Sequence, residues 1–261
     1  MQKVAPKKQL GQHFLTDPAI ARKIASSIPL GAWDSVVEVG PGMGILTKPL
    51  QEVHGKALHC VEIDAESVRW LHQQIWAKEL NIMHGDFLAI PEKDLFGEGN
   101  VAVIGNYPYN ISTQIAFRVL EAKNPVQFFG GMFQREVARR FCAEHGNKEY
   151  GVTSVLLQAF FDCKYLFTVH EGSFNPPPAV KSGVMACVRK QQQPGCTFKS
   201  LALVVKNAFN QRRKTLSNAL KPLTSSKPGF VLPEELKGKR AEQLSVETFI
   251  MLAAKWDSLN V

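Results

Sequence analysis

At 261 residues, 45% of them hydrophobic, the chain can bury a real core as one large domain, or as one large and one small. Its net charge of +8 and isoelectric point near 9.3 favour a polyanionic partner such as RNA, with plain solubility as the simpler reading. No apolar run reaches the roughly 18 residues that span a bilayer, and the polar stretch from Met1 to Lys8 lacks the apolar core of a signal peptide. The five cysteines, Cys60, Cys142, Cys163, Cys187 and Cys196, are odd in number and contain no C-x-x-C pair. They argue for free thiols in a reducing, cytoplasmic setting and against a metal site.

In chain order, Lys3, Lys7 and Lys8 form a basic arm, expected to be mobile and one of two regions that could hold RNA. Thr16-Asp17-Pro18 predicts a helix start, leading into 19–28, where Ile20, Ile24 and Ile28 share one face. Ser35-Val36-Val37-Glu38-Val39 predicts a buried strand. Gly40-Pro41-Gly42-Met43-Gly44 follows directly, and a helical pattern begins at Ile45. Strand, glycine turn and helix form the nucleotide-binding half of a doubly wound sheet. The pattern is E-x-G-x-G-x-G. The last glycine of a dinucleotide fingerprint would fall on Ile45, so the loop suits a ligand without a pyrophosphate. The strand 57–62 ends in Glu62, about twenty residues on, the distance for an acid that holds a ribose diol. A third strand, 81–84, leads to Gly85-Asp86-Phe87, where a carboxylate can accept a hydrogen bond from an adenine amino group. Each of these features is common alone; their order makes them specific.

The next apolar run, 101–105, ends in Asn106-Tyr107-Pro108-Tyr109. The Asn106 side-chain oxygen can accept a hydrogen bond from an amino group. The Tyr107 carbonyl, ahead of a proline, can accept another, and Tyr109 offers a ring for stacking. An amino nitrogen conjugated to a ring is a poor nucleophile. Two acceptors on its N–H groups pull it towards tetrahedral geometry and free its lone pair. The set therefore suits methylation of such a nitrogen. A methyl carried on a sulfonium needs no metal and no strong base to move; positioning supplies most of the rate.

Helical patterns recur at 65–77, 113–122 and 135–142, with strand-like stretches at 126–133, 165–169 and 183–188. This alternation predicts a mostly parallel, twisted sheet covered by helices. Gln191-Gln192-Gln193-Pro194-Gly195 reads as a linker, dividing a domain at 1–190 from a small helical one at 196–261. In the latter, Leu201, Val204, Val205, Ala208 and Phe209 recur at helical spacing. Arg212, Arg213 and Lys214, with Lys206 nearby, are either a solvated basic face or a phosphate grip, and the second reading is preferred beside a site for a base. Phe174, ahead of three prolines, is either a hydrophobic plug or a ring that sandwiches a flipped base with Tyr109.

Taken together these motifs resemble the small-subunit ribosomal RNA adenine N6-dimethyltransferases. The likeness rests on Lys8-Gln9-Leu10-Gly11-Gln12-His13-Phe14-Leu15, on Glu38 through Thr47, on Asn106 through Thr113, on Phe174 through Val180 and on Asn210 through Leu216. It covers nearly the whole chain. The resemblance implies a Rossmann-like α/β sheet of seven strands, the last antiparallel, with a small helical RNA-binding domain. It implies S-adenosylmethionine as donor, S-adenosylhomocysteine as product, and two adjacent adenines in the 3′-terminal hairpin loop as target. His13, Leu15, Gly40, Glu62, Asp86 and Asn106 would contact the cofactor, while Asn106, Tyr109 and Phe174 would handle the adenine. The expected setting is a monomer acting on small-subunit RNA within a pre-ribosomal particle, away from membranes. Two positions depart from the family pattern: His13 stands where Asn is frequent, and Tyr107 where Leu is usual. Tyr107 would act through its carbonyl, so its side chain should be tolerated. The same chemistry on large-subunit RNA, DNA or a protein glutamine, and a non-catalytic assembly factor, are the alternative readings.

Overall fold

A computed structural model of the chain describes residues 4–259; Lys3 of the basic arm falls outside them. Among the described residues nine strands form: β1 (Phe14–Leu15), β2 (Ser35–Val39), β3 (Leu58–Glu62), β4 (Asn81–His84), β5 (Val101–Asn106), β6 (Phe128–Gln134), β7 (Phe161–Val169), β8 (Phe174–Asn175) and β9 (Ser182–Arg189). Seven of them make one sheet in the order β4-β3-β2-β5-β6-β9-β7. The pairs β2·β3, β3·β4, β2·β5 and β5·β6 are parallel, and β9, the last strand of the chain, lies antiparallel to β6. The seven-stranded sheet with an antiparallel final strand is the one expected. Every residue of β2 is buried, as are the first five of β5, which is why both read as unbroken apolar runs rather than as alternating ones. β4 is an edge strand with both ends exposed.

Helices Thr47–His54, Ala65–His72 and Ser112–Glu121 follow β2, β3 and β5 and pack on the sheet. The first helix spans Pro18–Ala25, with the Asp17 carboxylate accepting N–H bonds from Ala19 and Ile20. It stops short of the expected 28 because the Ser26 and Ser27 hydroxyls take the carbonyls of Arg22 and Ile24, offering the backbone an alternative to a further turn. The expected helix 65–77 ends at His72 and resumes as a single 3-10 turn at Ile75–Ala77.

Two short strands escape the sequence pattern. β1 and β8 pair antiparallel, Phe14 opposite Asn175 and Leu15 opposite Phe174. Two residues are too few to show a period.

The chain divides into two compact units. One comprises the residues up to Ala138 and Lys164–Arg189; the other comprises Arg139–Cys163 and the chain from Lys190 onward. The second is helical. Its core joins Leu201, Val204, Val205 and Ala208 with Phe249, Leu252 and Ala253, and the Phe209 ring stacks on Phe249 with centroids 5.7 Å apart. Sequence reading divides the chain once, at the linker. The structure instead groups 139–163 with the helical unit, because helix Val152–Phe160 packs on Phe198–Asn210 and Val246–Ser258.

Tyr107 shows what the departure from Leu requires. The side chain is 1% exposed, its ring lies 4.5 Å from Phe133 and 5.7 Å from Phe129, and its hydroxyl donates to the Gly130 carbonyl at 2.9 Å. It is a core residue, and the tyrosine is accommodated there by ring packing and a bonded hydroxyl. Tyr107→Phe should lower unfolding stability by about 1 kcal/mol through loss of that donor, and Tyr107→Ala by roughly 3–5 kcal/mol through the cavity left behind. Chemical denaturation measures both; a Phe variant as stable as the parent would remove the Gly130 contact from the account.

Candidate active site

Strand order reverses at β2: the chain moves from β2 to β3 and β4 on one side, then returns to β5 on the other, all four strands running parallel. In such a sheet the crevice outside the carboxyl ends of the strands is the natural ligand site. A pocket opens there. It is lined by the end of β2 and its glycine loop (Glu38 to Met43), by Val61, Glu62 and Ile63, by Gly85, Asp86 and Phe87, by Asn106 to Tyr109, and by Leu10 to Leu15.

The glycine loop is shaped by backbone demands. Gly42 has φ +55°, and a Cβ there would meet the Phe14 ring at 2.9 Å. Gly40 has φ +73°, yet a Cβ built on it meets nothing within 4 Å, because it faces the open pocket. A left-handed backbone beside open space is a cradle for a ligand that must come close to the chain.

The acids at the strand ends are buried but satisfied. Glu62 is 3% exposed. One of its oxygens accepts the Gly42 N–H and the other the Asp64 N–H, both at 2.9 Å. Burial pushes its carboxyl up, and those two backbone donors pull it part of the way back. Burial alone would likewise raise Asp64. Bonds from Lys7, Ser67, the Glu66 N–H and Gln12 outweigh it and hold Asp64 down at about 2. Lys7 also approaches Glu66 at 3.3 Å, and the Gln12 side-chain oxygen accepts the Lys7 N–H at 2.8 Å. The segment leading into the pocket is thereby tied to the start of helix Ala65–His72. Glu38, at 1% exposure, differs. Burial pushes its carboxyl up to about 8; the Thr47 side chain and a bond from the Cys60 thiol at 3.6 Å oppose the rise, and Glu62 adds to it.

At the end of β5, the Asn106 amide nitrogen donates to the His13 carbonyl at 3.1 Å. This leaves Oδ1 as the amide's acceptor. The His13 ring contacts the Pro176 carbonyl at 2.9 Å through Nδ1, so Nδ1 carries the proton there. It also stacks on Tyr109, centroids 5.7 Å apart at 26°. The Tyr109 hydroxyl lies 2.6 Å from the hydroxyl of Ser182, which is fully buried. Asp86 accepts the Leu88 N–H at 2.9 Å on one oxygen.

Of the residues expected at the site, His13, Leu15, Gly40, Glu62, Asp86, Asn106 and Tyr109 all line this one pocket. Phe174 does not. It is 5% exposed and packs in the apolar cluster with Leu15, Met132 and Val184. Of the two sequence readings, this placement matches the plug rather than the sandwiching ring. In the helical unit, Arg213 and Lys214 are exposed in the turn after Phe198–Asn210, and Lys206 is exposed on that helix. Arg212 is engaged: it pairs with Glu242 at 2.8 Å and donates to the carbonyls of Lys148 and Tyr150. Sequence reasoning missed Asp64, although an acid just before a helix is an N-cap signal. It missed the buried state of Glu38. Lys7, read as part of a mobile basic arm, is instead paired with Asp64 and Glu66; for that contact, as for Gln12 and Ser182, there was no local signal, because the partners lie far away in sequence.

A family model described as ribosomal RNA adenine dimethylase matches residues 4–254. A ribosomal RNA small subunit methyltransferase A of Flavobacterium johnsoniae is 48% identical over 262 residues, covering 100% of this chain and 99% of the relative. One from Parabacteroides distasonis is 49% identical over 254 residues, covering 97% and 94%. Among solved structures, a dimethyladenosine transferase from Plasmodium falciparum superposes with a TM-score of 0.83 at 22% identity, over 95% of this chain and 99% of that one. A 23S rRNA methyltransferase superposes at 0.71 and 21% identity, over 94% and 99%. Fold and site thus define an α/β methyltransferase with an added helical unit. Within that class, the chain belongs to the ribosomal RNA adenine dimethylase family.

The state of Glu38 has a measurable consequence. Its folded-state carboxyl titrates above its ordinary 4.5, at about 8, so the folded chain holds that proton more tightly than the unfolded one. The resulting stability is fully present below pH 4.5 and is lost as pH rises through 8. Glu38→Gln cannot ionise and should lose less stability than the parent across that window, as read by denaturation at a series of pH values. Identical pH profiles would show that Glu38 is ionised in the fold throughout.

Proposed function

We propose that this enzyme methylates the N6 amino groups of two adjacent adenines in the 3′-terminal hairpin loop of small-subunit ribosomal RNA. It would do so as a cytoplasmic monomer acting on a pre-ribosomal particle. The observation that carries the reading is the Asn106 amide at the end of β5. Its nitrogen is committed to the His13 carbonyl, so its oxygen is held as an acceptor beside the half-buried ring of Tyr109.

The residues present fit S-adenosylmethionine. Gly40 leaves open space where any side chain would intrude. Glu62 has spent one lone pair on each oxygen, and a carboxylate oxygen has two, so it can still accept from a pair of ribose hydroxyls. Asp86 has its second oxygen for an adenine amino group. His13, Leu15 and Gly40 form the wall around the donor. When bound, the cofactor supplies a methyl group on a positively charged sulfur.

The chain's own contribution is placement. Asn106 Oδ1 and the Tyr107 carbonyl accept the two N–H bonds of the target amino group, which frees its lone pair. The Tyr109 ring stacks on the base, and the Ser182 hydroxyl and His13 ring keep that ring in position. Phe174 serves by seating β8 against β1, which carries Leu15 into the pocket wall. A monomethylated nitrogen offers only one N–H, so one of the two acceptors becomes dispensable for the second transfer.

Charge supports RNA as substrate. The helical unit holds 15 Lys and Arg against 8 Asp and Glu, a net +7, while the sheet unit holds 16 against 15, a net +1. Arg213, Lys214 and Lys206 are the phosphate contacts of this reading. Arg212 contributes by fixing the 148–150 backbone next to them.

The reading is tested by incubating the protein with labelled S-adenosylmethionine and undermethylated small subunits, then analysing nucleosides by mass spectrometry. Two dimethyladenosines per subunit are expected; monomethyladenosine alone, with ample donor and time, would rule out dimethylation. In the same assay Asn106→Ala should cut turnover on the order of 10²-fold or more while RNA affinity holds, because the lost contact matters in the transition state. Neutralising Arg213 and Lys214 together should flatten the salt dependence of RNA binding by about 0.7–0.9 log units per contact, with cofactor affinity unchanged. An unaltered slope would return both to ordinary solvated surface.

A further inference from the structure

Residues 86–90 form one turn on the pocket wall. The Asp86 carbonyl accepts the N–H groups of Ala89 and Ile90 at 2.9 and 3.0 Å, and its side chain takes the Leu88 N–H. The carbonyls of Leu88 and Ile90 are then taken by a single side chain from some thirty residues away. Arg118 donates through Nη1 to Leu88 at 2.8 Å and through Nη2 to Ile90. Its guanidinium carbon lies 5.7 Å from the ring centroid of Phe87, and Phe87, buried, meets Phe96 edge-on at 6.1 Å. Asp86 and Phe87 line the pocket; Leu88 and Ile90 do not.

Arg118 sits on helix Ser112–Glu121, and that helix starts immediately after the Asn106–Ile111 stretch that lines another part of the pocket. The same rigid element therefore carries the reaction loop at its start and grips the Asp86 turn two turns later. We propose that Arg118 is a positioning residue: it holds the Asp86–Phe87 wall in register with the Asn106–Tyr109 loop, and so sets affinity for the adenosine end of the methyl donor. This deepens the methyltransferase reading and rests on it. The grip needs a planar fork with two separated donors and a flat face for Phe87. A lysine brings the charge but neither the fork nor the face.

A groove lined by Leu88, Ile90, Gln114, Phe117 and Glu121 runs alongside the guanidinium, so a small cation can enter from that side when the side chain is removed. The test is calorimetry of S-adenosylmethionine and S-adenosylhomocysteine binding to the full chain, with RNA affinity and the ligand-free melting temperature measured alongside. R118A should weaken both cofactor affinities by about tenfold or more, equivalent to about 1.4 kcal/mol, and leave RNA affinity within about twofold. Added guanidinium, against equal sodium chloride, should recover part of the loss. R118K should fall between parent and R118A, and decides the matter if R118A does not fold. No binding by the parent chain would sink the methyltransferase reading itself. Parent binding with both variants within about threefold of it would sink only the role of Arg118, as would equal losses of cofactor and RNA affinity without rescue.

Discussion

β2 is hydrogen-bonded in parallel to β3 on one side and to β5 on the other, and the site depends on that arrangement. Parallel pairing puts the carboxyl ends of β2 to β5 on one edge of the sheet. The glycine loop, Glu62, Asp86 and Asn106 each stand at or just beyond such an end, so a sheet held together by backbone bonds does the assembling. Antiparallel placement of any of these strands would send its functional residue to the far edge. The all-buried character of β2 and most of β5 makes this arrangement robust, because the apolar surface of two central strands can be hidden only by covering both faces.

Placing carboxylates at the end of a buried sheet is expensive unless donors meet them. The chain meets the demand with its own backbone. The Gly42 and Asp64 N–H groups satisfy Glu62, the Glu66 N–H and Ser67 hydroxyl satisfy Asp64, and Lys7 and Gln12 complete the shell of Asp64 from the N-terminal segment. One network therefore orients the acid that faces the pocket and fastens the segment that covers it. Glu38 receives no such backbone donors among the described residues: the weak thiol donor of Cys60 and the Thr47 hydroxyl oppose its burial without offsetting it, and its carboxyl stays well above the ordinary range.

The two compact units carry different kinds of surface. The sheet unit is nearly neutral and shapes a pocket from backbone loops and buried acids. The helical unit carries most of the net charge, spread over exposed lysines and arginines. A long-range field needs exposed charge, whereas a snug site needs desolvated, oriented groups. Arg212 shows the limit of counting basic residues: its guanidinium is spent on Glu242 and two carbonyls, a structural tie inside a block that reads as uniformly basic.

While the count of seven strands and the places of His13 and Leu15 came from the family resemblance, the sequence by itself determined the alternation of strands and helices and placed the glycine loop, Glu62, Asp86, Asn106 and Tyr109 at strand ends. It could do so because each of those signals is local: an apolar run, a glycine triplet, an acid or amide at a strand's end. Burial of Phe174, the core role of Tyr107 and the grouping of 139–163 with the helical unit were decided only in three dimensions. So were the ties of Lys7 to Asp64, Tyr109 to Ser182 and Arg118 to the Asp86 turn. These depend on side chains 28 to 73 residues apart meeting across the fold, or on which neighbours cover a ring. Residue type and periodicity say what a side chain can do, and packing alone says what it is left to do.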